Sequence, residues 1–242
     1  MLPNESVPRM ALIGAMQEEL SAVLALLPDA RCETVAGREF WQGHLHGHAV
    51  VAVLSGIGKV AAAITATVLI EKFQVQRMLF TGVAGGLASN VKVGDVVVGT
   101  ELLQHDMDAS PLFPTYEVPL LGRARFQTDV AMTQCLIDSA SQALPLAKAH
   151  AGLIISGDQF VSSATASQRL QANIPDALAV EMEGAALAQV CHAYGIPLAV
   201  VRTLSDRADD DAHTNFVQFV KEVASPYSAA IVAEFLKRLP KA

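Results

Sequence analysis

Apolar and polar residues follow one another along this chain in blocks that predict strands alternating with helices. A short apolar run bounded by glycine or charged residues is typical of a strand that is covered on both faces. Six predicted strands, most of them such runs, occupy residues 10–14, 50–54, 78–81, 96–103, 151–155 and 198–201. Stretches that favour helices lie at residues 17–27, 60–73 and 129–143, after Ser162, after Glu183, and at 216–239. The alternation predicts a single α/β domain without internal repeats or linkers.

Some segments depart from this alternation. Residues 31–54 predict a β-meander that turns at Gly37 and Gly47. A flexible glycine turn is expected at 82–86, directly after the strand at 78–81. Residues 105–126 carry three prolines and no periodicity, and so long a loop is usually functional or lies at an interface. Residues 1–9 are interpreted as a loose extension, and residues 10–242 as the folded domain.

Composition narrows the classes of function. The net charge of −7 argues against a nucleic-acid-binding surface, which needs clustered Lys and Arg. The sequence contains neither a basic amphipathic helix nor an uninterrupted apolar run of about 18 residues, so no association with a membrane is expected. The three cysteines lack paired spacing, which is typical of reduced thiols in a cytoplasmic protein.

Acidic residues lie where several predicted strands end. Glu19 follows the first strand, Glu181 and Glu183 follow an apolar run at 178–180, and Asp206 ends the last strand. Ligands of open α/β sheets bind beyond the carboxyl ends of the strands, so we expect these acids to share one rim. The alternative for Glu19 is a surface residue that stabilises the dipole of its helix, which is the common role of an acid in a first turn.

Other patterns have simpler explanations. The glycine segments 55–59 and 81–86 could approach a ligand closely, yet neither fits a dinucleotide or P-loop fingerprint. Taken alone, such a segment is more often a tight turn than a ligand site. A metal site at His44, His46 and His48 competes with solvated hairpin histidines, because Gly47 interrupts the spacing. The acids near His105 lie in a proline-rich loop, which makes a poor rigid cage for a metal ion, and those at 209–211 lack the order of a calcium-binding loop. The sequence has no serine or cysteine in a setting typical of a nucleophile.

Carboxylates suit the cleavage of a glycosidic bond. One group protonates the leaving atom, a second activates water, and others accept hydrogen bonds from the sugar hydroxyls. The residues alone therefore predict an α/β enzyme that hydrolyses or binds a sugar derivative.

Seven motifs resemble one known family, the 5′-methylthioadenosine/S-adenosylhomocysteine nucleosidases of the purine nucleoside phosphorylase superfamily. They are GAMQEEL (14–20), SGIGKVAAA (55–63), TGVAGGL (81–87), VGDVVV (93–98), SGDQFV (156–161), VEMEGAA (180–186) and VRTLSD (201–206). The resemblance implies one α/β domain with three layers, in which helices flank a mixed, barrel-like sheet. It also implies a cytoplasmic homodimer that releases adenine from 5′-methylthioadenosine and S-adenosylhomocysteine without a metal or organic cofactor.

The resemblance also implies roles for individual residues. Asp206 would protonate N7 of adenine, Ser205 would orient Asp206, and Glu19 would position and deprotonate the attacking water. Glu183 would accept hydrogen bonds from the ribose hydroxyls, with Met182 against the sugar. The remaining pocket residues would be Gly85 beside the base and sugar, Phe160 stacked on adenine, the Val161 backbone at the adenine edge, and Ile57 and Arg202 in supporting positions.

Two departures from the family pattern concern specificity. Val83 stands where many members have a serine, which changes the contact with the sugar and is expected to broaden tolerance at the 5′ position. The 105–126 loop diverges most. By resemblance it lies near the partner subunit's pocket, with Leu112 and Phe113 as candidate lid residues.

Three other functions compete with metal-independent hydrolysis. One is a metallohydrolase, which a chelator would inactivate and which we do not expect. A nucleoside phosphorylase would need cationic donors for phosphate, and a carboxylate at the position of Glu19 would repel that anion. A non-catalytic nucleoside-binding protein would gain nothing from pairing Glu19 with Asp206.

Overall fold

The computed structural model describes residues 8–209 and 216–240. Its first strand begins at Arg9, one residue before the boundary expected for the folded domain, and the rest of the expected extension lies outside the described residues. Among the described residues, no helix is long and apolar enough to cross a membrane.

Ten strands and seven α-helices alternate along the described chain. The strands are β1 (Arg9–Gly14), β2 (Arg31–Val35), β3 (Arg38–Leu45), β4 (His48–Leu54), β5 (Val75–Gly86), β6 (Val96–Gln104), β7 (Arg125–Gln127), β8 (Ala149–Ser156), β9 (Ala177–Glu181) and β10 (Leu198–Asp206). The helices are α1 (Gln17–Leu24), α2 (Lys59–Glu71), α3 (Val130–Ala143), α4 (Ala164–Asn173), α5 (Gly184–Tyr194), α6 (Phe216–Phe219) and α7 (Ser225–Arg238).

Helix ends follow local chemistry. The side chain of Asp129 accepts a hydrogen bond from Met132 N at 2.8 Å, and Ser163 accepts one from Ala166 N, so both residues cap the helices they precede. Gly195 ends α5 in the left-handed conformation, with φ of 68°, which only glycine adopts without strain. The predicted C-terminal helix is present, but a π-helical turn (Val220–Ala224) joins α6 to α7.

The strands form one mixed sheet that closes on itself. β10 lies parallel to β5 and antiparallel to β6, and the sequence of neighbours β6–β8–β9 returns to β5. Five strands therefore make a barrel, and β1, β4, β3 and β2 extend the sheet from β5. This is the mixed, barrel-like sheet that the family resemblance implied.

Both faces of the sheet are covered by helices. Along β1, Ala11 and Ile13 pack with residues of α2 and α5, whereas Met10 and Leu12 pack with α1, α3 and α7. Successive side chains of a strand point to opposite faces, so a continuous apolar run serves both cores. The fold has the predicted three layers of helix, sheet and helix.

The expected flexible turn at 82–86 is wrong. β5 continues through this segment to Gly86, because it pairs with β10 as far as Gly85 and with β9 at Gly85 and Gly86. Backbone pairing on both sides holds the segment extended, although four of its residues lack a large side chain.

Candidate active site

A cavity of about 310 Å³ opens at the carboxyl ends of β1, β5, β8, β9 and β10. This is the size of pocket that binds small molecules. Its lining is mostly apolar, with a few carboxylates. The lining residues are Ala15, Met16, Ile57, Val83, Ala84, Gly85, Gln159, Phe160, Val161, Val180, Glu181, Met182, Glu183, Ser205, Asp206 and Phe216.

Every predicted substrate-binding residue lines this cavity, and so does Asp206. Glu19, the remaining predicted catalytic residue, lies directly beneath the lining and is fully buried. The shared rim expected from the strand ends is therefore present, and the alternative of a surface acid at Glu19 is wrong.

Glu19 is held by the backbone at the start of α1. Its Oε2 accepts hydrogen bonds from Ala15 N and Met16 N, both at 3.0 Å. Its Oε1 is buried without a hydrogen-bond partner among the described residues and lies 3.1 Å from the position that a Cβ on Gly82 would occupy. Burial raises the pKa of Glu19, and the charge of Arg202 and the surrounding backbone N–H groups oppose that rise.

Asp206 ends β10 beside Gly85. Ser205 Oγ donates a hydrogen bond to Asp206 Oδ2 at 2.7 Å, and Ala208 N donates one to Oδ1, also at 2.7 Å. Both bonds fix the orientation of the carboxyl group. Burial nevertheless raises the pKa of Asp206, and these two donors only partly oppose it. A carboxyl in this environment carries a proton at higher pH than an exposed one.

Glu183 is the third carboxylate of the cavity. Gly58 N donates a hydrogen bond to its Oε1 at 2.8 Å, and its Oε2 lies 3.8 Å from Arg202 Nη2. Burial and the charge of Glu181 raise the pKa of Glu183 to about 7, although Arg202 opposes them. The carboxyl group of Glu183 thus faces the cavity, and its charge changes with pH near neutrality.

Glu181 has a structural role that its neighbour Glu183 lacks. It accepts hydrogen bonds from Ser156 Oγ, from Gly184 N at the start of α5, and from Arg202 Nη2. The Arg202 side chain is fully buried and stacks on Phe80, with 3.7 Å from guanidinium carbon to ring centroid. This ion pair anchors α5 to β10 beneath the cavity, in agreement with the supporting position expected for Arg202.

The apolar residues form the cavity wall and mouth. Phe160 is half exposed and meets Phe216 edge-on, with ring centroids 5.8 Å apart. One face of an aromatic ring at such a mouth is free to stack on a flat ligand. Met182 lines the cavity between the two acids of the VEMEG motif, and Val161 follows Phe160 in the segment after β8.

The other candidates do not assemble into a site. His44 pairs with Asp29, and His48 Nε2 lies 3.0 Å from Leu236 O. Within the ranges 8–209 and 216–240, no group of three or more His, Cys, Asp or Glu side chains is arranged to hold a metal ion. Asp210 and Asp211 of the acidic segment lie outside the described residues.

Sequence reasoning missed some contributors to the site. Met16 and Phe216 line the cavity although no motif singled them out, and the N–H of Gly58 reaches Glu183 across 125 residues of chain. The glycine in SGIGK was the available signal for the last contact, but its meaning depended on which residue faced it. Predicted Ile57 does line the cavity.

Comparison with known proteins agrees with this architecture. Residues 9–237 match the Phosphorylase superfamily. A 5′-methylthioadenosine/S-adenosylhomocysteine nucleosidase of Shewanella denitrificans is 39% identical over 96% of this chain and 100% of its own length.

Solved structures with the same fold include a nucleosidase and a futalosine hydrolase. The Neisseria meningitidis 5′-methylthioadenosine/S-adenosylhomocysteine nucleosidase in complex with methylthio-immucillin-A is 37% identical, has a TM-score of 0.91 and covers 96% of this chain and 100% of that one. The futalosine hydrolase of Helicobacter pylori is 34% identical with a TM-score of 0.89, over 96% and 99% of the two chains. The chain therefore belongs to the phosphorylase superfamily and, within it, to the 5′-methylthioadenosine/S-adenosylhomocysteine nucleosidases.

Proposed function

We propose that this protein hydrolyses the N-ribosidic bond of 5′-methylthioadenosine and S-adenosylhomocysteine, releasing adenine and the 5-thioribose derivative. The observation that carries the proposal is the convergence of Glu19, Glu183 and Asp206 on one mostly apolar cavity. Glu19 lies against β5 at Gly82 and Asp206 lies against it at Gly85, so the two acids meet different positions of the strand that lines the cavity.

Asp206 is the general acid. Cleavage leaves the bonding electron pair on the purine, so a proton delivered to N7 turns adenine into a good leaving group. The raised pKa of Asp206 keeps its proton available closer to neutral pH, and Ser205 keeps the carboxyl aimed. Phe160 stacks on the base, and the Val161 backbone binds its edge. Gly85 lies beside the base and sugar, and a side chain there would crowd the acid, because its Cβ would lie 2.9 Å from Asp206 Oδ1.

Glu19 binds the water that attacks the anomeric carbon and removes its proton. Its Oε1 and Arg202 Nη1 both lie close to the position that a Cβ on Gly82 would occupy, and both are buried polar atoms without a partner in the described part of the chain. An acceptor and a donor placed together in this way suit a single water molecule.

Glu183 and Met182 hold the ribose. The carboxylate accepts hydrogen bonds from the 2′- and 3′-hydroxyls, and these bonds strengthen as positive charge grows on the ring. The thioether packs against the sugar face.

Charge favours water over phosphate as the nucleophile. Glu19 would repel a phosphate dianion at the position of the nucleophile, and the nearest guanidinium, that of Arg202, is already paired with Glu181. The test is adenine release in phosphate-free buffer. Turnover that depends strictly on phosphate would contradict hydrolysis and favour a nucleoside phosphorylase.

Replacing the catalytic carboxyls tests their roles. We expect Asp206→Asn and Glu19→Gln each to reduce turnover by at least about 100-fold, the usual size of a lost acid or base. Binding of a nucleoside-analogue inhibitor should stay measurable in both, which distinguishes lost chemistry from lost folding. Glu18→Gln is the matched control, because its side chain belongs to the same helical turn but lies outside the cavity. Full activity in either catalytic variant would refute the mechanism.

The preferred 5′ substituent is tested by a substrate panel of methylthioadenosine, adenosylhomocysteine, 5′-deoxyadenosine and aminofutalosine. The cavity lining at Val83 and Ile57 is apolar, and Val83 cannot donate a hydrogen bond from its side chain, so we expect tolerance of several 5′ groups. The similarity to a futalosine hydrolase is the reason for including aminofutalosine.

The enzyme acts as a cytoplasmic homodimer. Exposed apolar side chains support the homodimer: Val60 and Ile64 on α2, and Leu112 and Leu120 on the 105–126 loop. Apolar groups of this size favour burial against a second copy. The loop of each subunit then lies near the pocket of its partner, with Leu112 and Phe113 as lid residues.

A further inference from the structure

Three residues near the cavity form a closed ring of polar contacts. Lys59 Nζ donates to Asp106 Oδ1 at 2.6 Å, Lys59 N donates to Asp158 Oδ1 at 2.8 Å, and Asp158 N donates to Asp106 Oδ2 at 2.9 Å. These residues come from the start of α2, the turn after β6 and the turn after β8. We call them the Lys59 ring. None of its three side chains lines the cavity, so substrate binding does not account for it.

The ring leads directly to the ribose-binding carboxylate. Gly58, the residue before Lys59, donates its N–H to Glu183 Oε1 at 2.8 Å. Gly58 has φ of +94°, and a Cβ on it would lie 3.1 Å from Asp158 Oδ1. This backbone conformation favours glycine, and the hydrogen bond from Lys59 N to Asp158 Oδ1 holds the peptide unit that follows Gly58.

The ring is a charged structure with little access to solvent at its centre. The Lys59 side chain is 15% exposed and also donates to Gln104 Oε1 at 3.1 Å. Burial by itself would raise the pKa of Asp106, but Lys59 and the Asp158 N–H together lower it. Partly buried, charge-assisted hydrogen bonds hold geometry more firmly than neutral ones. Asp106 also stands at the start of the 105–126 loop, and Asp158 two residues before Phe160.

We propose that Lys59 is a positioning residue, which through the Lys59 ring holds the Gly58 N–H on Glu183 and thereby sets how strongly the enzyme uses the ribose hydroxyls. This inference rests on the proposed function of the cavity. Without the ring, the Glu183 side chain remains, but the Gly58 N–H that orients its carboxylate is no longer held in place. Binding of the ribose hydroxyls therefore weakens, whereas Asp206 and Glu19 are unchanged.

The test compares two substrates in matched variants. For Lys59→Met, which keeps most of the side-chain length, we expect kcat/KM for methylthioadenosine to fall about 10- to 100-fold, the effect of one hydrogen bond to a charged group. For the 3′-deoxy analogue the fall should be several-fold smaller, because that substrate makes less use of Glu183. The ratio of the two kcat/KM values should therefore shrink in the variant.

Further variants separate positioning from general damage. Asp158→Ala should reduce the same ratio, and its half-exposed side chain can be removed with little loss of packing. Lys59→Arg, which retains a donor for Asp106, should restore most of the ratio. Lys72→Met is the control, because Lys72 forms a surface pair with Glu33 at the far end of α2.

An equal loss on both substrates in Lys59→Met and Asp158→Ala, with no rescue by arginine, would overturn the proposal. If wild-type protein released no adenine from either substrate, the proposed function itself would fail, and that result is distinct from an unchanged ratio in an active enzyme.

Discussion

The buried acids differ in the cations and hydrogen-bond donors that surround each of them. Arg202 is the only guanidinium against Glu181 and Glu183 among the described residues, and its short contact is with Glu181. Glu181 also has the N–H groups at the start of α5, so its charge is compensated. Glu183 has one backbone donor and the Arg202 guanidinium at 3.8 Å, and burial together with the charge of Glu181 raises its pKa to about 7. Glu183 is therefore available to bind a ligand, whereas the oxygens of Glu181 are occupied by hydrogen bonds within the protein.

This difference predicts a pH-dependent stability. The pKa of Glu183 is about 7 in the folded chain, above its ordinary value of 4.5. The contribution of this group to the free energy of unfolding is therefore complete below about pH 4.5 and is lost as the pH rises through about 7. Glu183→Gln keeps the acceptor for Gly58 N but does not ionise. We expect its unfolding temperature to exceed that of wild type by a few degrees at about pH 8, with the gap narrowing toward about pH 5.

Thermal unfolding of both proteins across that pH range measures the effect. Turnover should fall in Glu183→Gln most at about pH 8, where the wild-type side chain is ionised and the ribose therefore loses a charged acceptor. A gap in unfolding temperature that stays constant with pH would contradict the raised pKa.

Sequence reasoning found the individual acids because strand ends and motifs are local signals. Glu19 and Asp206 were predicted as partners although 187 positions separate them in the sequence, because the carboxyl ends of parallel strands lie at the same edge of a sheet. The assignment of Arg202 to Glu181, and of Gly58 to Glu183, depends on side-chain directions that no local pattern encodes.

At the scale of an element, β5 is the part of the fold that was misjudged. Its apolar run stops at Thr81, and glycines carry no side chain that would continue a period of two. Yet the segment Gly82–Gly86 pairs with β10 and β9, and its small residues are what allow Arg202, Glu19 and Asp206 to approach the strand. The lack of side chains suggested a turn. In the structure it leaves room for side chains of neighbouring elements to pack against the strand.

This crowding predicts the effect of a single methyl group. A Cβ at position 82 would clash with Arg202 Nη1 and lie 3.1 Å from Glu19 Oε1. We expect Gly82→Ala to reduce kcat for adenine release at least about 100-fold, since the methyl group displaces the attacking water and its base.

Gly37→Ala is the control for this experiment. A Cβ at Gly37 meets no atom within 4 Å, but its φ of +73° imposes a backbone cost. It should lower stability modestly and leave kcat unchanged. Near-normal turnover in Gly82→Ala would show that the water does not bind beside Gly82.

On the scale of the whole molecule, local patterns predicted the elements but not how the sheet closes. β10 pairs with β5 on one side and β6 on the other, and both pairings use the same apolar run. A run covered on both faces looks alike in an open parallel sheet and in a mixed barrel, because periodicity does not record strand direction. The family resemblance supplied the barrel, and closure is what brings Asp206 to Gly85 across from the chain's first helix.

The proposed homodimer has a consequence that only mixed subunits reveal. If the 105–126 loop completes the partner's pocket, an Asp206→Asn chain has an inactive pocket of its own but a normal loop to offer. A Leu112→Asp chain has a normal pocket, but its charged loop damages the pocket of its partner; Leu112 is 83% exposed in the single chain, so the substitution does not disturb the core. Each homodimer should therefore be weakly active.

Mixed dimers should recover activity. Random exchange makes half of the dimers mixed, and each of these has one intact pocket with an intact loop, so activity should rise to about one quarter of wild type. The measurement is adenine release after the two variants are denatured together and refolded, compared with variants refolded separately and then combined. Leu146→Asp, at a fully exposed leucine outside the loop, is the control and should be active without any partner. If Leu112→Asp proved fully active by itself, or if co-refolding restored nothing, the loop would not belong to the neighbouring pocket.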